Sequence, residues 1–220
     1  MSTIYRAGFS LARSVGFTAC TYVAENAYGK RADNAKTKMN RKIWVALLLA
    51  TCLPLPGYST FAATSLPIGS SFAVAFSPRE ESLELVLSCI KVAKENILAA
   101  AYSFTSKPIA EALRDAHKRG IKVQVVVDKQ GNSSQYTAAT FLANQGVPVR
   151  LNGRYTIHHH KFMIVDGQHV QTGSFNYSAA AVDKNAENVL VLLDVPELAA
   201  RYTAEWRQLW DEAEPLPAQY

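Results

Sequence analysis

The chain has 220 residues, of which 49% are hydrophobic, 19% charged and 10% aromatic. This is the composition of a globular protein, and it excludes a disordered, a collagen-like or a disulfide-rich chain. The net charge of +5 is unevenly distributed: residues 1–63 hold 8 Lys and Arg against 2 Asp and Glu, whereas residues 64–220 hold 15 against 16. The basic excess therefore belongs to the N-terminal part, and it does not identify a partner for the remainder.

The N-terminal part carries the pattern of an export signal. The basic residues within Met39–Lys42 precede the short apolar run Ile43–Leu53, and small residues surround a plausible cleavage position after Ala62 or Ala63. This order predicts a signal peptide over residues 39–63, because the apolar run is too short to span a membrane. The mature protein is therefore expected to be exported, either periplasmic or secreted.

The signal also divides the chain. Residues 1–38 are expected to be a non-native or dispensable extension with translation starting at Met39, and residues 64–220 to form one catalytic domain. A buried core helix, an unusually long basic region and a lipoprotein signal ending at Cys52 are the alternatives. Cleavage leaves Cys89 as the single cysteine, so the mature domain has no internal disulfide.

The predicted domain alternates helices and strands in chain order. Helices are predicted at residues 77–96, 107–119, 136–145 and 194–210, the first of them opened by a capping box at Ser77–Glu80. Strands are predicted at residues 97–104, 122–128, 147–150, 159–165, 169–172 and 188–193. This order predicts an α/β fold with a mixed, largely parallel sheet flanked by helices on both faces. The dipeptide Asp166-Gly167 predicts a hairpin between two of the strands.

The polar residues with chemical potential lie on and after the predicted strand 159–165. Side chains alternate between the two faces of a strand, so His159 and Lys161 share one face. Ser174 and Asn176 share a face if the chain stays extended past Gly173, where the backbone can pass close to another segment or a ligand. An imidazole, an ammonium group, a hydroxyl and an amide together suit an anionic substrate.

The spacing resembles a known family. The run His159-x-Lys161-x4-Asp166, followed by Gly173-Ser174-x-Asn176, is similar to the signature of the phospholipase D superfamily, and residues 101–123 resemble the first strand–helix–strand of that family. The motif occurs once in this chain. A single motif, a small domain and an export signal are most similar to the periplasmic, plasmid-type bacterial endonucleases of the superfamily.

The resemblance implies a mechanism with no cofactor and no metal. His159 would attack the phosphorus of a phosphodiester and form a phosphohistidine, which water then hydrolyses. Lys161 and Asn176 would bind the non-bridging oxygens, and Ser174 would add a hydrogen bond. Glu187 matches the downstream acidic residue of the family that orients the nucleophilic imidazole.

Two further residues complete the predicted site. Asp166 belongs to the motif, and its place at the hairpin indicates a structural role. Arg154 precedes the motif and is a candidate for binding substrate phosphates, with a surface role as the alternative. The histidine tract 158–160 could instead bind a metal ion, although two imidazoles without another ligand make a poor zinc site.

The substrate and the assembly follow from the same resemblance. The expected substrate is DNA or RNA, the first alternative is a phospholipid, and the second is an inactive nucleic-acid-binding module. In-line displacement needs a general acid opposite the nucleophile, and this chain has only one motif. We therefore expect a homodimer in which His159 of both subunits meets in one site, rather than a monomer that uses His158 or His160 as the acid.

Overall fold

The computed structural model of the protein describes residues 63–132 and 137–219. The predicted extension and nearly all of the predicted signal peptide lie outside these residues. The described strands are β1 (Ser71–Ser77), β2 (Asn96–Ala101), β3 (Lys122–Asp128), β4 (Val149–Asn152), β5 (Lys161–Val165), β6 (His169–Gly173), β7 (Glu187–Leu193) and β8 (Glu214–Pro215). The described helices are α1 (Ser82–Lys91), α2 (Lys107–Lys118), α3 (Ala138–Asn144), α4 (Ala179–Asp183) and α5 (Pro196–Asp211).

The strands form one mixed sheet in the order β1-β7-β6-β5-β2-β3-β4-β8. Only the pairs β2–β3 and β3–β4 are parallel, and the other five pairs are antiparallel. The α/β class is confirmed, but the expectation of a largely parallel sheet is wrong. The helical crossovers impose parallel pairing only on the first half of the domain, whereas the Asp166-Gly167 hairpin and the return through β7 impose antiparallel pairing on the second.

Helices cover both faces of the sheet, as predicted. Alternate residues of the central strands pack into two apolar clusters, one on each face. Met163 and Val165 of β5 join the cluster that contains α1, α2 and α3, whereas Phe162 and Ile164 join the cluster under α5. The alternation predicted for this strand is therefore observed.

Several predicted boundaries shift. Ser77 ends β1 instead of capping a helix, and α1 begins at Ser82 without a side-chain cap. The carboxylate of Glu80 accepts a hydrogen bond from the backbone N–H of Phe76 at 2.9 Å, so this pair closes the connection between β1 and α1. Strand β3, residues 122–128, has its predicted limits. Among the described residues, no helix has the length and hydropathy of a membrane span.

Strand β1 leaves an apolar surface uncovered. It forms one edge of the sheet and pairs with β7. Phe72, Val74 and Phe76 point to the face that carries α5 and are 69%, 45% and 49% exposed. Helix α5 packs against β2 to β6 and leaves this edge open. Phe76 pairs with Asn188 of β7. The apolar surface therefore extends along β1 to the end of the sheet at which β7 begins.

Candidate active site

Five of the predicted polar residues lie at one edge of the sheet: His159, Lys161, Ser174, Asn176 and Glu187. Strands β5 and β7 begin there, and β2, β3 and β6 end there, because the antiparallel pairs bring a start beside an end. Lys161 pairs with Ala101 in the register of β2 and β5, and Glu187 is the first residue of β7. Loops leaving this edge carry His159, Ser174 and Asn176. The fold therefore brings polar residues from three segments of the chain to a common edge.

His159 and Lys161 share an aromatic neighbour. The imidazole of His159 lies 4.7 Å from the ring of Tyr102, measured between centroids, and the Nζ of Lys161 lies 5.2 Å from the centre of the same ring. Lys161 is 5% exposed, whereas His159 is exposed to solvent. The Lys161 ammonium donates a hydrogen bond to the backbone oxygen of His159 at 2.8 Å. An accessible imidazole thus stands beside a fixed positive charge.

The environment of Lys161 acts on its pKa in two ways. Burial lowers the pKa below its ordinary value, and the negative charge of Glu187 partly opposes this change. The interaction indicates that the Glu187 carboxylate lies near the ammonium group. At this site a partly desolvated ammonium group therefore lies near a carboxylate of opposite charge.

Ser174 and Glu187 are bonded directly. The Oγ of Ser174 donates to Oε2 of Glu187 at 2.6 Å and accepts from the backbone N–H of Asn188 at 3.0 Å. The side-chain amide of Asn185 donates to the other oxygen of Glu187 at 3.0 Å. Within the described residues the imidazole of His159 forms no hydrogen bond, so the predicted contact between Glu187 and this imidazole is not present. Here the carboxylate holds the hydroxyl of Ser174.

Gly173 permits this arrangement. Its φ is +151°, and a Cβ at this position would collide with the backbone oxygen of Asn188. The close approach predicted for this glycine is thus to another segment of the chain, the start of β7. Ser174 follows directly and is placed against Glu187.

Asn176 lies beside the loop that carries Tyr102. The next residue, Tyr177, is buried and pairs with Phe104 in a parallel bridge. The backbone oxygen of Tyr177 accepts hydrogen bonds from the N–H groups of Thr105 and Ser106 at 2.8 and 2.7 Å. The Oδ1 of Asn176 is buried and has no hydrogen-bond partner among the described residues. A phosphate oxygen would be bound by the side-chain NH₂ of Asn176, because Oδ1 can only accept hydrogen bonds.

Asp166 lies at the far end of β5. It adopts a φ of +55° in the hairpin, and its carboxylate accepts hydrogen bonds from the N–H groups of Lys94, Glu95 and Asn96 at 2.8 to 2.9 Å. Burial alone would raise the pKa of Asp166, but these three bonds outweigh burial and hold it below its ordinary value. Asp166 therefore joins β5 to the start of β2, which agrees with the structural role predicted for it.

Arg154, the predicted phosphate-binding residue, and the nearby Arg150 do not join the site. Arg150 donates to the backbone oxygen of Trp210 at 2.8 Å, and its guanidinium lies 4.6 Å from the centre of the Trp210 ring. Arg154 is exposed, its backbone N–H donates to Asn152, and its charge acts on Glu212 beyond the end of α5. Arg154 does not line the groove that contains His159 and Lys161.

A strap of residues 153–160 carries the exposed imidazole and is anchored by β3. The carboxylate of Asp128 accepts a hydrogen bond from the backbone N–H of His158 at 2.7 Å. His158 is 1% exposed, and neither ring nitrogen has a hydrogen-bond partner among the described residues. Burial, reinforced by the nearby charge of His160, lowers the pKa of His158 to about 4. His158 is therefore a neutral, buried residue of the strap.

Residues 159 and 161 also line an open groove of about 400 Å³. Its other walls come from β6 and from α5, and its lining residues include His160, Thr172, Arg201, Tyr202 and Glu205. The motif does not indicate Tyr102 or Arg201. An aromatic residue after a buried strand is typical of a core position, and Arg201 lies forty residues from Lys161, so only the packing of α5 reveals it.

No group of three or more His, Cys, Asp or Glu side chains suited to a metal ion occurs in the described part of the chain. Of the histidine tract, His158 is buried, whereas His160 contacts Glu205 with 3.4 Å between Nε2 and Oε1. The tract is thus divided between the interior and the groove.

Comparison with known proteins identifies the family. The family model described as "Cardiolipin synthase, PLD-like domain" matches residues 86–210. The chain belongs to the phospholipase D superfamily. It is accordingly a phosphodiester hydrolase of that family, and the matched segment contains all six predicted site residues from His159 to Glu187.

Curated relatives in this superfamily carry lipid names. A phospholipase D of Rickettsia felis is 30% identical over 184 residues, covering 84% of this chain and 88% of the relative. The mitochondrial cardiolipin hydrolase of Mus musculus is 30% identical over 154 residues, covering 70% of this chain and 69% of the relative.

Two solved structures are covered almost over their full length by the match. Nuc from Salmonella typhimurium, a phospholipase D family member, is 39% identical with a TM-score of 0.66, and the match covers 68% of this chain and 99% of Nuc. NucT from Helicobacter pylori is 26% identical with a TM-score of 0.60, covering 67% of this chain and 99% of NucT. The described domain thus corresponds to nearly the whole of each of these two chains.

Proposed function

We propose that this phospholipase D family protein is a metal-independent endonuclease that cleaves DNA or RNA through a phosphohistidine on His159. The observation that carries the proposal is the exposed imidazole of His159 beside the buried ammonium of Lys161, both against Tyr102. An accessible nucleophile next to a desolvated positive charge is what attack on an anionic diester requires. The names of two matched structures, Nuc and NucT, agree with nucleic acid as substrate.

The proposed reaction has two displacements at phosphorus. A ring nitrogen of His159 forms a bond to phosphorus while the bond to the leaving oxygen breaks, and a second imidazole gives that oxygen its proton. Water then attacks the phosphohistidine, gives its proton to the second imidazole and releases a phosphomonoester. Lys161 and Asn176 bind the non-bridging oxygens, whose charge grows in each transition state. Ser174 lies at the same edge, where its hydroxyl is bonded to Glu187.

We propose that the second imidazole is His159 of a second copy in a homodimer. The uncovered apolar surface of β1, formed by Phe72, Val74 and Phe76, supports this assembly because it reaches the edge at which Glu187 lies. A second copy covering this surface removes the exposed half of three large apolar side chains from water, about 1 kcal/mol each. It also brings two site edges towards each other.

Phospholipid is the second candidate substrate. The names of the curated relatives, phospholipase D and cardiolipin hydrolase, favour it. The chemistry at phosphorus is the same for both substrates, so the distinction lies in the groups that flank the diester.

One experiment tests the proposed function directly. Purified protein is incubated with plasmid DNA, RNA and labelled phosphatidylcholine or cardiolipin vesicles in parallel, with the His159→Asn variant as the matched control. The proposal expects nicking or degradation of nucleic acid by the wild-type protein and at least about a thousandfold less by the variant. Release of a lipid headgroup without nucleic-acid cleavage contradicts the nuclease and establishes the second candidate.

We also propose that the protein is exported. The basic residues 39–42, the apolar run 43–53 and the small residues at 59–63 support this location. N-terminal sequencing of protein isolated from the periplasm or medium is expected to begin at Ala63 or Thr64. Exported protein that retains residues 1–38 contradicts the proposal.

A further inference from the structure

We propose that Arg201 forms a second phosphate subsite, which binds a phosphate next to the scissile one in a single-stranded polynucleotide. This inference rests on the proposed nuclease function and names the feature that makes the substrate a polymer. Arg201 lines the same groove as His159 and Lys161, but it comes from α5 rather than from the motif.

The position of Arg201 follows from the helix that carries it. Arg201 precedes Glu205 by one turn of α5, which corresponds to about 6 Å along the helix axis. Glu205 contacts His160, the residue next to His159, with 3.4 Å between Oε1 and Nε2. Arg201 therefore lies in the groove one helical turn from the residue that contacts the neighbour of the nucleophile. A phosphate adjacent to the scissile one in an extended strand occupies such a position.

The guanidinium of Arg201 is available to bind a phosphate. It is exposed and forms neither an ion pair nor a hydrogen bond with any residue that the structure describes, although Glu197 and Glu205 lie one turn away on either side. Arg150, by contrast, is held by Trp210. An arginine fork binds a phosphate through two parallel hydrogen bonds, a geometry that lysine does not offer.

The surroundings of Arg201 leave space for the nucleoside beyond that phosphate. Arg201 and Tyr202 also line a second cavity, of about 570 Å³, whose wall includes Leu66, Pro67 and Leu198. The ring of Tyr202 is held edge-on against Phe162, with 5.0 Å between centroids. Charge at the boundary and apolar walls behind it suit a phosphate followed by a base.

The test compares two substrates and two variants. Wild-type protein, Arg201→Gln and Arg207→Gln are assayed on a single-stranded DNA oligonucleotide and on bis(p-nitrophenyl) phosphate, a diester without a flanking phosphate. Arg207 is the matched control because it is exposed on the same helix and does not line the groove. Arg201→Gln is expected to raise KM about tenfold more for the oligonucleotide than for the small diester. The slope of log(kcat/KM) against log[salt] on the oligonucleotide is expected to fall in magnitude by about 0.7.

The outcomes separate this inference from the proposed function. Equal effects of Arg201→Gln on both substrates, or an Arg207→Gln variant that loses as much, overturn the subsite. A variant that sediments with a different mass from the wild type also overturns it, because Arg201 then acts between copies of the chain. Wild-type protein that hydrolyses the small diester but cleaves neither the oligonucleotide, nor RNA, nor plasmid DNA contradicts the proposed nuclease function itself.

Discussion

The carboxylate of Asp128 holds the backbone of His158, the residue immediately before His159. Its Oδ1 accepts the His158 N–H at 2.7 Å, and its Oδ2 accepts the N–H of Gly131 at 2.7 Å. Asp128 is 1% exposed, and its bond to His158 is buried. The position of the proposed nucleophile is therefore determined by the end of β3 as well as by β5, which begins only at Lys161.

Asp128→Asn is expected to impair catalysis and stability together. The substitution replaces one acceptor oxygen by an NH₂ group, which then faces a backbone N–H without a partner. We expect kcat to fall about tenfold and the free energy of unfolding to fall by about 2 kcal/mol. Steady-state kinetics and urea denaturation measure the two effects. Asp115→Asn is the control, since Asp115 is exposed and paired with Arg114, and a Asp128→Asn variant as active as this control contradicts the prediction.

The buried imidazole of His158 makes stability depend on pH. Its pKa is about 4 in the folded protein, below the ordinary value of 6.5, and it is neighboured by the charges of Asp128, His160 and Lys161. Between these two pKa values the unfolded chain binds a proton that the folded protein does not. The contribution is therefore fully present above pH 6.5 and is lost as the pH falls towards 4, up to about 3 kcal/mol.

Two variants isolate this contribution. His158→Leu removes the titrating group and two unpartnered nitrogens, so its free energy of unfolding should fall less than that of the wild type between pH 7 and pH 4.5. His117→Gln, on α2, should follow the wild type. Urea denaturation at several pH values is the measurement, and a His158→Leu profile parallel to that of the wild type disproves the assignment.

Chelation tests the metal-independent mechanism. Imidazole, ammonium and amide groups suffice for the proposed chemistry, so cleavage should persist in excess EDTA at a rate within about twofold of the untreated protein. Plasmid nicking with and without EDTA is the assay. Full loss of activity that a divalent ion restores would favour the metal-binding alternative for residues 158–160.

Mixing of subunits tests the shared site. In the homodimer one His159 attacks and the other donates a proton, so an isolated heterodimer of wild-type and His159→Asn chains should lose nearly all activity. If each chain holds a complete site, the heterodimer keeps about half of the wild-type rate. A fully active monomer in sedimentation would also show that one chain suffices.

Local sequence patterns predict those features of the fold that depend on residues close together in the chain. The alternation of residues 161–165 places the side chains of β5 on their observed faces, and the Asp166-Gly167 turn produces the β5–β6 hairpin. The sheet directions depend on pairings between distant segments. Strand β1 pairs with β7 across more than one hundred residues, and no local signal distinguishes this partner from another.

The site shows the same division. The motif identifies His159, Lys161 and Ser174 by their spacing along the chain. Tyr102 reaches His159 because β2 lies beside β5, and the Glu187 carboxylate meets Ser174 because Gly173 allows β6 to approach β7 closely. These contacts arise from strand order and from a single backbone conformation, which the spacing of the motif does not contain.

Trapping of the covalent intermediate tests the central claim most directly. Wild-type protein is mixed with an end-labelled oligonucleotide, quenched within the first turnover under conditions that preserve phosphoramidates, digested and analysed by mass spectrometry. We expect a nucleotidyl adduct, linked through a P–N bond to His159, that forms and decays at rates compatible with turnover, and no adduct on His159→Asn. Turnover with an adduct on another residue, or a His159→Asn variant that cleaves at the wild-type rate, would contradict it.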